Sequence, residues 1–266
     1  MTQKFTIFVS SSDSYADIWD LFFDLFKKYW PEYQGEIVLN TETLDYSHSD
    51  LNIRCSKVGK LGSFGKVLRA GLDSVTTENV LLVMIDYIFM GKVNHQQVEE
   101  YYQYFCEEKI DSLCLEYQGY PNVTDTTHPE LVNVIPPAPN IMFSYQIAFW
   151  TKSMLREMAL PHENPWMSEW YGSQRAEKMR IKLVCPKQEI QWPIPYDLRG
   201  CLHQGKWLDN TVEFLNSINY KVDFEKRGYY LDGYTTLQYR FKAKYMIWST
   251  GIKGSYIDLW KREGSL

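Results

Sequence analysis

The acid Asp86 ends the most apolar segment of the sequence, residues 79–87 (NVLLVMIDY). Burying a carboxylate without a partner is costly, so an acid at the end of a buried strand tends to bind a cation or a donor group. Mg²⁺ and Mn²⁺ prefer hard oxygen ligands, and Mg²⁺ often shares substrate phosphates. Asp86 is therefore a predicted ligand for a metal ion or a donor group. The alternative is an acid that caps the loop after the strand.

A second acid, Glu169, lies between two tryptophans, Trp166 and Trp170. A carboxylate beside apolar rings can have a raised pKa, and a base with a pKa nearer neutrality is suited to deprotonating a hydroxyl group. Glu169 is therefore a predicted general base. The alternative is an acid in the first turn of a helix, where it would complement the helix dipole.

The segment HQGKW combines the imidazole of His203 with the ammonium of Lys206. These groups could complete a metal shell and neutralise a leaving diphosphate. A surface turn with an incidental His and Lys fits the pattern equally well. Residues 62–66 (GSFGK) superficially suggest a phosphate loop, but they lack the required spacing and the GK[ST] ending, so a P-loop is excluded.

Strands and helices alternate over the first ~100 residues. Residues 4–9, 35–40, 53–58, 79–87 and 112–117 are predicted strands, and helices are predicted after the turn at 10–13 and over 64–74, 98–105, 144–158 and 163–180. Asp13 is expected to cap the first helix. Residues 122–140, which contain four prolines, are predicted to be an irregular loop.

This alternation predicts an α/β fold whose open, largely parallel sheet is covered by helices on both faces. In such sheets, ligands bind beyond the carboxyl ends of the strands. Two polar positions fall at such ends, the Ser10–Asp13 turn and Asp86. We therefore expect these two segments to meet at one edge of the sheet.

Composition narrows the function classes. The net charge of −5 and the calculated pI of about 5.6 argue against the basic surface of a nucleic-acid-binding protein. The five cysteines are scattered without CxxC spacing, which argues against a disulfide framework and a zinc site. The first residues do not have the pattern of a signal peptide, and no stretch approaches the ~18 apolar residues of a membrane helix. The expected location is the cytoplasm, either in solution or at the inner face of a membrane.

The ordered set of segments resembles bacterial and viral glycosyltransferases of the GT-A (nucleotide-diphospho-sugar transferase) fold. The opening VSSSDSYADIWDLFFDLFKKYWPE is similar to that family's first strand, turn and helix, and ENVLLVMIDYIFMGKVN to its acidic strand. SYQIAFWTKSMLREM and ENPWMSEWYGSQR resemble its acceptor-side helix and Pro-Trp-x-x-Glu element, and HQGKW and VDFEKRG its closing motifs. The likeness covers residues 5–230, which implies a single GT-A-like domain of residues 1–230.

On the donor side, the resemblance implies a nucleotide-diphosphate sugar. Ser11, Asp13 and Tyr15 would lie near the base and ribose, and Asp86 near the ribose or a Mn²⁺ or Mg²⁺ ion. Relatives carry two adjacent acids where this chain has Ile85 before Asp86, which puts metal dependence in doubt. His203 would be the second metal ligand.

Cations are also needed beside the diphosphate, and Lys66, Arg69 and Lys206 are the candidates. On the acceptor side, Glu169 would deprotonate a hydroxyl group of a glycan or lipid-linked glycan for direct, inverting displacement. A retaining enzyme could use the same fold.

Gln146, Trp150 and Trp166 are the predicted acceptor contacts, because aromatic rings stack on the CH faces of sugars. Residues 231–266 are predicted to be a basic and aromatic extension packed on the domain, suited to a membrane surface or a lipid-linked acceptor. The alternative for this extension is a docked helix with a mobile basic end.

Two other functions stay open, namely a catalytically weak nucleotide- or glycan-binding module and a sugar-1-phosphate nucleotidyltransferase. The latter ranks last because SSSDSY is neither glycine-rich nor basic.

Overall fold

The structure, a computed structural model, describes residues 5–120, 122–135 and 143–230. It divides into two compact units, Met1–His203 and Gln204–Leu266. The predicted boundary at residue 230 stays a prediction, because the extension over 231–266 lies outside the described residues. Within the described ranges, no helix combines the length and the apolar character that crossing a bilayer requires.

The first unit contains ten strands and five α-helices in its described part. The strands are β1 (Thr6–Ser10), β2 (Ile37–Leu39), β3 (Ile53–Cys55), β4 (Asn79–Met84), β5 (Ser112–Cys114), β6 (Val123–Asp125), β7 (Leu131–Val134), β8 (Ala148–Thr151), β9 (Leu183–Pro186) and β10 (Leu202–His203). The helices are α1 (Trp19–Tyr29), α2 (Phe64–Asp73), α3 (His95–Glu107), α4 (Lys152–Met158) and α5 (Pro165–Met179), and a 3₁₀ helix (Asp13–Ile18) precedes α1.

One nine-stranded sheet, in the order β3-β2-β1-β4-β8-β5-β9-β7-β6, forms the centre of this unit. Its first part is parallel, with β1 paired to β2 and β4 and with β2 paired to β3. Strand β1 is buried along its whole length, as expected of a strand covered on both faces. The predicted α/β class, with a mixed sheet between helices, is confirmed.

The reversed strand β8 sets the geometry of the second part. It runs antiparallel to both β4 and β5, so β4 and β5 run in the same direction, and β9 is parallel to β5. The carboxyl ends of β1, β4, β5 and β9 therefore lie at one edge of the sheet, where β8 begins. We call this the carboxyl edge.

Local sequence explains the helices that flank the sheet. In α1, Leu21, Phe22, Leu25 and Phe26 recur at helical spacing and are all buried. Helix α5 begins at the carboxyl edge, where the side chain of Asn164 accepts a hydrogen bond from the Met167 amide, with Pro165 in the first helical position.

Two predictions for the chain after residue 120 are wrong, and one strand was missed. Residues 144–158 are a strand followed by a helix, because β8 is buried on both faces and apolar burial outweighs helical periodicity. On its two faces, Phe149 contacts Tyr102 and Trp150 contacts Phe143. The segment over 122–140 is not wholly irregular, since it contains β6 and β7. Strand β9 was not predicted.

The second unit contains, in its described part, β11 (Lys206–Trp207), α6 (Asp209–Ser217) and a 3₁₀ turn (Phe224–Lys226). Trp207 is buried and packs edge-on against Phe224, with ring centroids 5.5 Å apart.

Candidate active site

Asp86 and the serine-rich first turn lie at the same edge of the sheet, as expected. Ser10 is paired in register with Met84, and its carbonyl accepts a hydrogen bond from the Ile85 amide at 3.0 Å. Asp86 and Ser11 therefore follow neighbouring parallel strands, at the position where such sheets bind ligands.

Asp86 is half-buried and has no side-chain partner among the described residues. Its carboxylate accepts a hydrogen bond from its own backbone amide, whereas burial raises its pKa to about 6. It does not cap the loop after β4. Gly200 packs so closely that an added Cβ would lie 2.9 Å from Oδ2 of Asp86. The Asp86 carboxylate is thus held in a confined place with unused hydrogen-bonding capacity.

Glu169, in the second turn of α5, also faces the carboxyl edge. Its Oε1 accepts a hydrogen bond from the Tyr145 amide at 3.0 Å, just before β8. Burial raises the pKa of Glu169, and this hydrogen bond partly opposes the rise. Two large indoles flank it in sequence, with Trp166 57% exposed and Trp170 41% exposed. A half-buried carboxyl group therefore lies beside exposed aromatic side chains.

Glu116 is a third carboxyl group at this edge, and sequence reasoning missed it. It follows β5 as Asp86 follows β4, and the segments MIDY (84–87) and CLEY (114–117) share an apolar pair, an acid and a tyrosine. That repeated pattern was the signal that could have found it. Glu116 is fully buried, and burial raises its pKa to about 8.

The hydroxyl group of Tyr87 is affected by the charges of all three carboxyl groups. Burial raises the pKa of the Tyr87 hydroxyl well above its usual value, and the charges of Asp86, Glu169 and Glu116 raise it further. The three acids are therefore near enough to one phenol to affect its titration, although they come from three separate elements.

The first turn holds Ser11, Asp13 and Tyr15 at the same edge. Asp13 is not the predicted helix cap. Its carboxylate instead accepts hydrogen bonds from the Glu42 amide (2.8 Å), the Thr43 amide (2.9 Å) and the Thr43 hydroxyl (2.6 Å). Burial alone would raise the pKa of Asp13, but these hydrogen bonds lower it. Asp13 therefore fixes the loop after β2.

The other two residues of the turn have their own backbone and side-chain contacts. Ser11 Oγ accepts a hydrogen bond from Trp19 Nε1 at 2.9 Å, and the Tyr15 amide donates to the Ser12 carbonyl.

The predicted acceptor contacts lie in three different environments. Trp166 is exposed on α5. Gln146 is half-buried just before β8, where its Oε1 accepts from the Tyr196 hydroxyl (2.9 Å) and its Nε2 donates to the Leu198 carbonyl (3.1 Å). Trp150 is a core residue of β8, only 1% exposed, so its ring has no free face for a sugar. Trp150 therefore packs the interior, which corrects its assignment as an acceptor contact.

The predicted cations and metal ligands lie on separate elements of the fold. Lys66 is exposed on α2 and lines an open hollow of about 240 Å³ with Arg69, Asp73 and Pro161. Lys206 lies on β11 of the second unit. Among the residues that the structure describes, no group of three His, Cys, Asp or Glu side chains could hold a metal ion. Asp86 and His203 therefore do not fit a metal held by protein ligands alone.

Comparisons with known proteins found matches only among solved structures. No protein-family model and no curated protein matches the sequence. TarS of S. aureus aligns at 15% identity with a TM-score of 0.44 over 71% of this chain and 59% of the TarS 1–349 chain. A longer TarS structure aligns at 16% identity and a TM-score of 0.44, over 71% of this chain but 36% of that one.

A Thermus thermophilus 2-C-methyl-D-erythritol 4-phosphate cytidylyltransferase aligns at 9% identity and a TM-score of 0.36, over 83% of this chain and 87% of that one. The alignments span less than two thirds of the TarS chains, and superpositions this loose do not establish a shared activity.

Proposed function

We propose that this protein is a glycosyltransferase that transfers a sugar from a nucleotide-diphosphate donor to a glycan or lipid-linked glycan acceptor at the carboxyl edge. The observation that supports it best is that Asp86 and Glu169 are both half-buried, have raised pKa values and lie near enough to Tyr87 to raise the pKa of its hydroxyl group. A displacement at an anomeric carbon needs a base for the attacking hydroxyl group and a donor held in place, and two separate carboxyl groups at one edge can divide these roles, one as the base and one as a ligand of the donor's ribose.

Glu169 is the proposed base. A hydroxyl group of the acceptor loses its proton to Glu169 as its oxygen attacks the anomeric carbon, and the bond to the nucleotide diphosphate breaks on the opposite face, inverting the configuration. A raised pKa makes the Glu169 carboxylate a stronger base. The hydrogen bond from the Tyr145 amide to Oε1 leaves Oε2 available to accept that proton.

Asp86 is the proposed donor ligand. Its carboxylate lies beside the first turn and has no described partner beyond its own amide, so it can accept hydrogen bonds from the ribose hydroxyl groups. Ser11, Asp13 and Tyr15 would line the base and ribose site. Lys66 remains a proposed counter-charge for the diphosphate, and the same role for Lys206 stays a prediction from the sequence.

Trp166 and Trp170 are the proposed acceptor surface, with Gln146 as a polar contact. The two indoles are one helical turn apart and next to Glu169, so a sugar stacked on them would present a hydroxyl group near the base. A peripheral membrane contact through residues 231–266 would suit a lipid-linked acceptor and stays a proposal.

The test is release of nucleoside diphosphate from a panel of UDP-, GDP-, CDP- and dTDP-sugars, with and without Mn²⁺ and candidate glycans. We expect Glu169→Gln to lower turnover by about 10²–10⁴-fold, the usual contribution of a general base, and to leave donor affinity nearly unchanged. The glutamine Oε1 keeps the hydrogen bond to the Tyr145 amide, so the fold is preserved.

Glu177→Gln, an exposed acid on the same helix, is the matched control and should behave as the wild type. If Glu169→Gln transferred sugar at the wild-type rate, the assignment of the base would be wrong. Donor binding without any release of nucleoside diphosphate would instead indicate the binding module.

A further inference from the structure

Residues 193–201 form a segment that crosses Asp86, and we call them the covering segment. Its backbone is bound at several points, with the Asn94 amide donating to the Pro193 carbonyl and the Met90 amide to the Pro195 carbonyl, both at 2.8 Å. At the far end, the Cys201 amide donates to the Asp86 carbonyl at 2.7 Å, next to Gly200. The position of this segment therefore decides how much of Asp86 a ligand can reach.

A chain of buried polar groups connects Glu116 to the middle of the covering segment. Tyr196 belongs to the segment and lies beside the Glu116 carboxyl group. Its hydroxyl donates to Gln146 Oε1 at 2.9 Å, and Gln146 Nε2 donates to the Leu198 carbonyl at 3.1 Å. Gln118 Nε2 donates to Glu116 Oε1 at 2.8 Å and holds the other end of the chain.

The second carboxyl oxygen of Glu116, Oε2, indicates whether the Glu116 side chain is protonated. Oε2 is buried and accepts no hydrogen bond from any residue in the described ranges. The Tyr196 hydroxyl donates its proton to Gln146 Oε1 and accepts a hydrogen bond from the Ile147 amide at 3.4 Å, so its oxygen keeps one lone pair that can accept a hydrogen bond from Glu116. A carboxylate oxygen buried without a donor is unfavourable, but a protonated carboxyl group at the same place would supply the missing donor. Burial raises the pKa of Glu116 to about 8, which agrees with a neutral acid near pH 7.

We propose that Glu116 is a positioning residue that, as a neutral acid, donates a hydrogen bond from Oε2 to Tyr196 and thereby holds the covering segment over Asp86. It does not touch the donor. The expected effect of Glu116 on donor affinity rests on the proposed function of Asp86. The expected effect of Glu116 on the position of the covering segment does not depend on that function. The titratable groups that face Glu116 are Tyr87, Tyr120, Tyr196, Cys114 and Cys185, all neutral near pH 7.

Three variants distinguish the neutral acid from other roles. In Glu116→Gln the side-chain amide can donate to Tyr196 and its oxygen can accept from Gln118, so this variant should behave as the protonated wild type. Glu116→Leu keeps the side-chain volume but removes the hydrogen bonds to Tyr196 and Gln118. Tyr196→Phe removes only the hydroxyl group and keeps the packing, which provides a second measurement should Glu116→Leu not fold.

The first readout is backbone hydrogen exchange of the peptide that contains residues 193–201, corrected for the intrinsic effect of pH. In the wild type we expect protection to fall between about pH 6.5 and about pH 9.5 as Glu116 ionises. We expect Glu116→Gln to keep its protection across this range and Tyr196→Phe to have low protection throughout. This measurement needs no substrate, so it tests the hold on the segment even if the protein transfers no sugar.

The second readout is the donor KM in the nucleoside diphosphate release assay. We expect a rise of about tenfold in Glu116→Leu and Tyr196→Phe, the usual effect of losing a buried hydrogen bond, with little change in kcat. Glu116→Gln should retain the wild-type KM. A glutamine variant as impaired as the leucine variant, or unchanged protection in Tyr196→Phe, would overturn the inference.

Discussion

At the scale of single residues, Asp86, Glu116 and Glu169 have elevated pKa values because the protein removes water from each of them. The extent of that removal differs. Glu116 is fully buried, while Asp86 and Glu169 are half-buried at the carboxyl edge. Water and ligands can therefore reach Asp86 and Glu169, whereas Glu116 can act only through its neighbours.

The substitution Asp86→Asn should raise the stability of the folded protein and weaken its binding of the donor. Because burial raises the pKa of Asp86 from 3.8 to about 6, the folded protein binds this proton more tightly than the unfolded chain. The free energy of unfolding therefore falls as pH rises from about 4 to about 6, and the loss persists above pH 6. Asparagine does not ionise, so at pH 8 we expect the variant to be about 2 kcal/mol more stable than the wild type.

Denaturant unfolding at pH 4 and pH 8 measures this difference, which should be small at the lower pH. The same variant should bind the donor more weakly, because the amide cannot replace both acceptor oxygens. A variant that was no more stable at pH 8, or that bound the donor as the wild type does, would contradict these roles.

At the scale of secondary-structure elements, hydrophobic periodicity and turn residues predicted those helices and strands whose formation depends on short stretches of sequence. Helix α1 and strands β1 to β5 follow the patterns in the sequence, and so does the meeting of the first turn with Asp86. Strand β8 did not, because its burial depends on β4 and β5, which are distant in sequence. Glu116 was missed as a site residue for a related reason, since its strand is joined to β4 through β8, whose place in the sheet was not predicted.

The covering segment depends on Gly200 more than on its other residues. Gly200 has a φ of +75°, and an added Cβ would lie 2.9 Å from Asp86 Oδ2 and 3.1 Å from Asp86 Cγ. We expect Gly200→Ala to raise the donor KM by about tenfold or more, because both the left-handed backbone and the contact with Asp86 are disturbed.

The matched control is Gly62→Ala, which has the same φ of +75° but no atom within 4 Å of the added Cβ. It should lower the melting temperature slightly, through backbone strain alone, and leave the donor KM unchanged. Equal effects of the two substitutions on KM would mean that contact with Asp86 does not matter. Steady-state assays with a varied donor concentration distinguish the two outcomes.

At the scale of the whole molecule, the first unit gathers its site from segments far apart in the chain. The first turn, the ends of β4 and β5, the start of α5 and the covering segment are joined by the sheet and by hydrogen bonds between its loops. A ligand at the carboxyl edge would therefore contact several parts of one cooperative unit. Its binding energy would add to the free energy of unfolding of that unit.

A melting-temperature screen against nucleoside diphosphates should detect this coupling. A ligand at about 100 times its Kd adds about 2.7 kcal/mol to the free energy of unfolding, if it does not bind the unfolded chain. For a chain of this length that corresponds to a rise of about 5 °C or more. We expect one nucleoside diphosphate to give the largest rise, which would identify the base of the donor. The rise should become smaller in Asp86→Asn and stay unchanged in Glu169→Gln, because of these two residues only Asp86 is proposed to contact the nucleotide. Equal stabilisation of the wild type and Asp86→Asn would place the nucleotide elsewhere, since a ligand that does not touch Asp86 gains nothing from its carboxylate.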